Sequence, residues 1–272
     1  SLRHRRMARR AGGRADLRRV RELTDRPVGA NLMIQGWKRD PSIVDVLAEA
    51  GVRHVFTSAG DPALFTARLH DAAMTVVHVV GSLKGARKAL DAGVDALVVE
   101  GVEGGGFKSL LSASTMVLLP LVAEHVDLPI IAAGGICDAR SAAAALVLGA
   151  EGVQMGTRML ASREAGVHVN FKEAIVAADD SGTVLLDIPG HPTMRVLRTG
   201  LASRVAADQT ASPLLGGVTT LYFDGDMEAS VANTGQVSSR IVDILPVAEV
   251  IRGTWEGARE ALHAAAVRLG EP

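Results

Sequence analysis

The chain has 272 residues, 48% of them apolar and 22% charged, enough for one large α/β barrel or two small domains with a packed core. A net charge of −1 excludes a whole-chain electrostatic footprint for nucleic acid, and no apolar run reaches the ~18 residues that would point to a membrane-spanning helix. A lone cysteine, Cys137, rules out a disulfide within the chain, which fits a cytoplasmic location.

The first nineteen residues carry Arg3, Arg5, Arg6, Arg9, Arg10, Arg14, Arg18 and Arg19 against Asp16 alone. An anion-binding arm or a targeting peptide is one reading; without an apolar stretch in it, a solvated helix face is the better one. A helix is expected over 15–23. From there the pattern is a βα repeat. Strands are expected at 28–34, 52–57, 74–80, 95–99, 129–133 and 152–155, because short Val/Ile-rich runs there are bounded by Gly, Pro and Asp. Helices are expected at 41–50, 62–73, 83–92, 114–125, 139–148 and 171–178, several stopped by glycine.

Six strands fit an open doubly wound sheet; eight would close a (β/α)8 TIM barrel of ~250 residues. The barrel is favoured because no dinucleotide-type glycine fingerprint occurs early and the phosphate-like glycines lie on the last two strands, where a barrel puts its phosphate site. On that reading two strands belong ahead of Ser1, and the chain starts inside the first helix because they are cleaved, truncated or unordered. The expected organisation is a barrel core over 1–157, a small helical lid or substrate subdomain over 158–235 with a polar stretch around 208–212 and a junction of two unlike segments at 209–213, and a C-terminal helical region over 236–272 that includes a helix at 246–268.

Three segments carry chemistry. In Pro129-Ile-Ile-Ala-Ala-Gly-Gly-Ile136 a buried strand runs into paired glycines, Gly134 and Gly135, and then a helix. Glycine lets backbone approach a ligand closely, and the helix start offers N–H groups, so the turn is a candidate phosphate cradle; a plain tight βα turn is the alternative. One βα unit later, Gly152-Val-Gln-Met-Gly-Thr157 places Gly156 and Thr157 at the end of the neighbouring strand, where they would close the cradle from its other side. Such sites serve FMN and also sugar phosphates. Glu100-Gly-Val-Glu-Gly-Gly-Gly-Phe-Lys108 puts three consecutive glycines after the preceding strand, which means close approach to something flat or bulky, or a floppy loop; placed there they would face the same mouth.

These residues resemble a known family. The Glu-x-Gly-Gly segment at Glu103 to Gly106, the Ala-Ala-Gly-Gly-Ile run at 132–136 and Leu148-Gly-Ala-Glu-Gly-Val-Gln-Met-Gly-Thr-Arg158 are similar to nitronate monooxygenases and the related FMN-dependent enoyl reductases. The likeness extends to Pro27-Val-Gly-Ala-Asn-Leu32, to His168 with Lys172, and to Gly235-Gln236. It implies FMN, with its phosphate on Gly134, Gly135, Gly156 and Thr157 beside Met155. Asn31, Glu100, Gly105 and Gly106 would lie around the ring or ribityl chain, and Gly235 and Gln236 would close over it. The family pattern ends Glu-x-Gly-Gly-His, the histidine being the base or hydrogen-bond partner beside the flavin. Here Phe107 stands at that position, followed by Lys108. Phenylalanine cannot move a proton, so deprotonation of a neutral nitroalkane loses its base, whereas a nitronate arrives already deprotonated. Lys108 is a candidate for holding an anion or polarising a carbonyl, or else a solvated loop lysine.

Pro192-Thr-Met-Arg-Val-Leu-Arg-Thr-Gly200 resembles the lid of family members that reduce or desaturate CoA thioesters, which makes Arg195 and Arg198 candidate CoA-phosphate ligands, with plain surface arginines as the alternative. His191, in a Gly-His-Pro loop, is a weaker catalytic candidate. Cys137 is at a helix start that can lower a thiol pKa, though packing is the plainer reading. His78 is expected to be a buried mid-strand residue. No metal-ligand spacing and no nucleophile elbow occur. The leading reading is an FMN enzyme exchanging hydride with a C=C bond beside a thioester or ketone, with a small-molecule substrate, a CoA thioester among the candidates, and NAD(P)H or O2 as redox partner. Nitronate oxidation with O2, a non-flavin phosphate-binding barrel lyase or isomerase, and a catalytically silent flavin-binding protein are the alternatives. A homo-oligomer is a further expectation; nucleic-acid and membrane partners are not expected.

Overall fold

The computed structural model describes residues 15–109, 113–208 and 216–270. The arginines at positions 3 to 14 and the junction at 209–213 lie outside them. Two compact units divide the chain, one of residues 1–80 with 84–98, the other of 81–83 with 99–272.

In the first unit the expected helix α1 spans 15–23. Arg18 and Arg19 sit on it, and Arg19 pairs with Glu22 one turn along, an exposed i,i+3 contact. There follow β1 (Gly29–Met33), a single turn α2 (Ile34–Trp37), α3 (Ile43–Glu49), β2 (His54–Ser58), a 3₁₀ turn at Pro62–Leu64, α4 (Thr66–Asp71), β3 (Thr75–Val80) and α5 (Leu83–Asp91). β1, β2 and β3 pair in parallel, with Asn31 beside Phe56 and Thr57 beside His78. The βα reading of the sequence holds here, with two differences: the turn α2 begins at Ile34, where the first strand is expected to end, and the helix expected over 62–73 is divided into the 3₁₀ turn and α4. Each strand buries Val or Leu against its helix, with Leu32, Val55, Val76 and Leu69 at 2% exposure or less.

His78 is buried on β3, its Nδ1 2.8 Å from Thr57 Oγ1. Burial pulls its pKa down to about 4; the Asp61 carboxylate opposes this and Lys88 adds to it. The folded state therefore takes up its proton later than the unfolded chain, whose histidine titrates near ~6.5. The stabilisation from a neutral His78 is complete above that value and is lost as pH falls toward about 4. Wild-type protein should lose about 1.5 kcal/mol of unfolding free energy between roughly pH 6.5 and 5, and His78→Gln should lose little of it. Urea unfolding midpoints across that range test this; parallel pH profiles for the two proteins would refute it.

The second unit takes up the repeat after β4 (Ala96–Glu100) with the two-residue strand β5 (Gly106–Phe107), α6 (Thr115–Ala123), β6 (Ile130–Ala133), α7 (Ala139–Val147) and β7 (Gly152–Gln154). β6 and β7 pair in parallel, Ile131 beside Gly152 and Ala133 beside Gln154. α7 begins in a capping box: Asp138 Oδ1 accepts from Ser141 N at 2.9 Å while Ser141 Oγ accepts from Asp138 N at 3.1 Å. Beyond β7 lie α8 (Thr157–Leu160), α9 (Val169–Val176), β8 (Thr183–Leu186), β9 (Met194–Leu197), α10 (Gly200–Asp208) and the long α11 (Val247–Arg268). α11 packs along α7 and fulfils the expectation of a helix over 246–268.

The 158–235 segment contains the expected helices and, in addition, strands that the sequence did not announce. β5, β9 and β8 form an antiparallel sheet in that order, with Gly106 beside Arg195 and Phe107 beside Met194. β9 is buried along its whole length, so Met-Arg-Val-Leu shows none of the alternation that marks a half-exposed strand. Leu186, Ile188, Met194, Val196, Ala202, Val205 and Val231 make the core beneath this sheet. A neighbouring core gathers Phe171 and Ile175 of α9 with Leu221, Val237 and Ile241; Phe171 meets Tyr222 edge to face, ring centroids 5.0 Å apart.

Candidate active site

Glu100 ends β4, Ala133 ends β6 and Gln154 ends β7, and the turns that follow these three strands meet around one cavity of 220 Å³. Gly134 and Gly135 both adopt positive φ, +81° and +77°, a left-handed pair that turns the chain sharply after β6. A Cβ on Gly134 would stand 2.9 Å from Gly101 O and 3.0 Å from Gly101 N, so the two backbones touch at a distance only glycine permits. Gly101 N donates to Ala133 O at 3.0 Å, which fastens the 100–107 loop to the end of β6. Glu103 clamps the same junction from below. Both its carboxylate oxygens lie 3.0 Å from Thr115 N, and the Thr115 hydroxyl lies 3.0 Å from Oε2 and 2.8 Å from Gly134 O.

The opposite wall is the chain returning from the antiparallel sheet. Gly235 N donates to Thr157 Oγ1 at 2.9 Å, and Gln236 N donates to Glu103 O at 2.8 Å. Gly105 lies against Thr234, where a Cβ would come within 2.7 Å of backbone. At Gly156 a Cβ would meet nothing within 4 Å, so this wall faces open space. Ala133, Ile136, Leu160 and Val237 supply apolar lining. Asn233 lines the cavity as well, and its buried Oδ1 has no hydrogen-bond partner. An orphaned buried acceptor costs roughly 1–3 kcal/mol and is a reason to expect a donor there.

Of the residues singled out in the sequence, Glu100, Gly105, Gly134, Gly135, Gly156, Thr157 and Gly235 line this one cavity. Gly106 stands just outside it, on β5 with positive φ. Gln236 contributes its backbone rather than its exposed side chain. Met155 sits beside Thr254 of α11, its sulfur 3.9 Å from the hydroxyl, and is not part of the lining. Asn31 belongs to the first unit, exposed on β1 with Ser58 Oγ 3.4 Å away. At the start of the helix after Gly134-Gly135 the Ser141 N–H is taken by the Asp138 carboxylate, and Ser141 Oγ accepts from Cys137 N and Asp138 N just ahead of it.

Phe107 is 41% exposed on β5 and does not line the cavity. Lys108 is the reverse of a solvated loop lysine: its side chain is 2% exposed and its Nζ lies 2.7 Å from Glu100 Oε1. Gly104 makes room for this pair, since a Cβ there would fall 2.3 Å from Glu100 Oε1 and 2.7 Å from Lys108 Nζ. His191 is exposed in a turn, its N donating to Ile188 O, and is not part of the lining. Arg195 is buried, its Nε donating to Val102 O at 2.8 Å and its Nη1 to Thr183 Oγ1 at 3.3 Å. Burial lowers its pKa below the usual arginine range, opposed by the Glu103 carboxylate. Arg198 is exposed and reaches Ser181 O at 2.7 Å. His168 caps α9, accepting from Asn170 N, and the buried Lys172 donates to Arg163 O. Cys137 is packed, and burial followed by the Asp138 carboxylate raises its thiol pKa rather than lowering it.

A larger cavity of 940 Å³ runs between α7 and α11, lined mostly by alanine, leucine and valine with Arg140 and Arg268; no predicted site residue reaches it. Among the described residues no cluster of His, Cys, Asp or Glu could hold a metal, and no helix is long and apolar enough to cross a membrane.

The sequence profile of nitronate monooxygenases matches residues 36–256, most of the chain and the whole of this cavity. The chain belongs to the nitronate monooxygenase family. A (3aS,4S,5R,7aS)-5-hydroxy-7a-methyl-1-oxo-octahydro-1H-indene-4-carboxyl-CoA dehydrogenase of Rhodococcus jostii is 37% identical over 68% of this chain and 52% of its own length. The protein of the same name from Mycobacterium tuberculosis is 36% identical over 72% and 56%. This family member thus spans about half the length of the curated relatives it matches. Among solved structures, FabK from Thermotoga maritima superposes with a TM-score of 0.88 at 35% identity, covering 94% of this chain and 83% of that one. Nitroalkane oxidase from Streptomyces ansochromogenes gives 0.80 at 25% identity, over 94% and 87%. With these neighbours, the parallel βα repeat is an α/β fold of the (β/α)8 barrel class.

Proposed function

We propose that this member of the nitronate monooxygenase family is an FMN-dependent oxidoreductase that exchanges hydride with a C=C bond conjugated to a thioester or ketone, on a CoA-linked small molecule. The observation that carries the reading is the convergence of the Gly134-Gly135 and Gly156-Thr157 turns, on consecutive strands, with the Glu100 to Gly106 loop on one cavity. The residues present fit FMN. The left-handed glycine pair exposes backbone to a phosphoryl group, Gly156 leaves its wall open, and the Asn233 amide oxygen awaits a donor. At 220 Å³ the cavity is smaller than the ~300–1,000 Å³ of a typical whole-ligand pocket, the size for a phosphoryl group and its chain. Gly134, Gly135, Gly156 and Thr157 would hold the phosphate, with Glu100, Gly105, Asn233 and Gly235 nearer the ring; Asn31, Met155, Gly106 and Gln236 belong to the same proposal through the family likeness. Bound FMN would supply the hydride acceptor or donor.

The CoA-linked substrate is favoured by the two indene-carboxyl-CoA dehydrogenases among the relatives and by Arg198, exposed beside β9. The 158–235 segment is proposed as the substrate subdomain, between a core over 1–157 and a C-terminal region over 236–272. NAD(P)H or O2 as redox partner, assembly with further copies and a cytoplasmic location are parts of the same proposal. Nitronate oxidation is the second reading, favoured by the family match itself and by relatives named probable nitronate monooxygenase.

The deciding experiment is reconstitution with FMN followed by anaerobic titration with saturated acyl-CoAs, ethyl nitronate and NAD(P)H, watching the flavin absorbance. Bleaching by an acyl-CoA, or NAD(P)H bleaching reversed by an enoyl-CoA, is the expected result. Bleaching by ethyl nitronate alone would favour the second reading. Protein that stays colourless after FMN is added would defeat both.

A further inference from the structure

We propose that Glu100 is the proton-accepting catalytic residue of this cavity and that Lys108 is its positioning residue, together taking the place of the histidine that the family pattern puts at position 107. The inference rests on the flavin reading above and deepens it.

Elimination among the cavity-lining residues points to Glu100. The lining holds two titratable side chains, Glu100 and Glu103. Glu103 is committed to structure, with both oxygens against Thr115 and its carbonyl taken by Gln236 N. Phe107 has no titratable group and faces solvent from β5. His191 and Cys137 lie outside the lining. Glu100 ends β4, its side chain 26% exposed, with one oxygen fixed at 2.7 Å by an ammonium group that is itself almost wholly out of solvent.

The surroundings of the pair are built for it. Lys108 is held at its backbone too, its N donating to Thr193 O at 2.9 Å. Gly104 leaves the space both charged groups occupy. A buried lysine that served only as packing would be costly, because its charge must be desolvated. Directed at Glu100, it fixes the carboxylate's orientation, the condition for proton transfer within hydrogen-bond reach.

The step is a proton transfer. The C–H bond α to a nitro, thioester or ketone group breaks, the proton goes to a Glu100 carboxylate oxygen, and the electron pair stays on the substrate, delocalised as nitronate or enolate. No redox partner is consumed in this step. A substrate that arrives already deprotonated has no need of it.

FMN-loaded wild type, Glu100→Gln, Lys108→Met and Lys108→Arg are compared in three measurements, after circular dichroism has established that each is folded. The first is flavin absorbance after gel filtration, which reads cofactor retention. The second is deuterium wash-in from D2O at the α-carbon of nitroethane and of butyryl-CoA, followed by NMR without net oxidation. The third is flavin reduction by nitroethane against reduction by preformed ethyl nitronate. Glu100→Gln should lose wash-in by at least ~100-fold, and should lose reduction by nitroethane by a far larger factor than reduction by ethyl nitronate. Lys108→Met should lose ~10-fold or more, and Lys108→Arg should recover most of it. Yellow, reducible wild type that exchanges neither probe faster than buffer overturns the assignment and leaves the flavin reading standing. Wash-in unaffected in Glu100→Gln also overturns it, and Lys108→Met equal to wild type removes the positioning role. Loss of nitronate and nitroethane reduction in equal measure would mean that Glu100 holds the ring rather than moves a proton. Colourless wild type fails the flavin reading and this assignment with it.

Discussion

Gly134→Val should give protein that no longer retains FMN, with affinity reduced at least ~100-fold, the equivalent of about 2.8 kcal/mol. Two physical effects combine. At φ +81° a β-branched residue is in the left-handed region, which costs an L-residue roughly 1–2 kcal/mol and a branched one more. Its Cβ would also meet Gly101 O at 2.9 Å, Gly101 N at 3.0 Å and Gly104 N at 3.2 Å. These are backbone atoms, so no rotamer change relieves the contact, and the β6 turn must move away from the 100–107 loop. Gly156→Ala separates ligand space from backbone strain. There φ is −96° and a Cβ meets no protein atom within 4 Å, so the variant should melt with wild type. Its methyl group would instead stand where the phosphate is proposed to lie, and FMN should bind more weakly. Calorimetric titration of both variants with FMN, beside thermal melts, is the measurement. Gly156→Ala binding FMN with wild-type affinity would place the phosphate elsewhere.

The contrast between these two glycines shows what could be read from the residues and what could not. Gly-Gly after Pro129 to Ala133 and Gly-Thr after Gly152 to Met155 stand out because each follows a short apolar strand, and both turns do line the cavity. Sequence could not distinguish a glycine that avoids backbone, as at 134, from one that faces open space, as at 156. The parallel strands were legible because Val and Ile runs between glycines have few other folded uses. β5, β8 and β9 were not: two to four residues carry little periodicity, and β9 is buried on both faces. Missing that sheet hid its consequences. Gly106 and Phe107 enter it as a strand, which turns Phe107 outward and leaves Lys108 buried. Asn233 reaches the cavity because it bridges to Val196 of β9, a pairing that follows no local motif. The Asn-Thr-Gly-Gln order beside Gly235 was the one available hint. The Glu100–Lys108 pair spans eight residues across four glycines, a spacing with no fixed meaning in a loop; only the fold brings its ends to 2.7 Å.

The same sheet sets the two lid arginines apart, one buried and one exposed, and the difference carries the second large effect. Arg195→Leu should destabilise the protein by roughly 3–5 kcal/mol, whereas Arg198→Ala should change stability by no more than about 0.5 kcal/mol. Arg195 is buried on β9 opposite Gly106, and its guanidinium joins three parts of the unit: β9, the Val102 carbonyl of the active-site loop, and the Thr183 hydroxyl on β8. Hydrogen bonds from a charged donor are worth about 1.5–3 kcal/mol each, and leucine leaves the buried acceptors without one. With that anchor gone, the 100–107 loop keeps its β5 pairing but loses the side-chain tie at Val102, so FMN retention should fall together with stability. Arg198 has its Nε on Ser181 O at the surface, where water can replace the bond. If it contacts CoA phosphates, Arg198→Ala should weaken acyl-CoA binding in a salt-dependent way without altering the melt. Urea unfolding of both variants and acyl-CoA titrations at two ionic strengths separate the roles. An Arg195→Leu protein that unfolds with wild type would mean that this guanidinium is held for a ligand after all, and that the sheet stands without it.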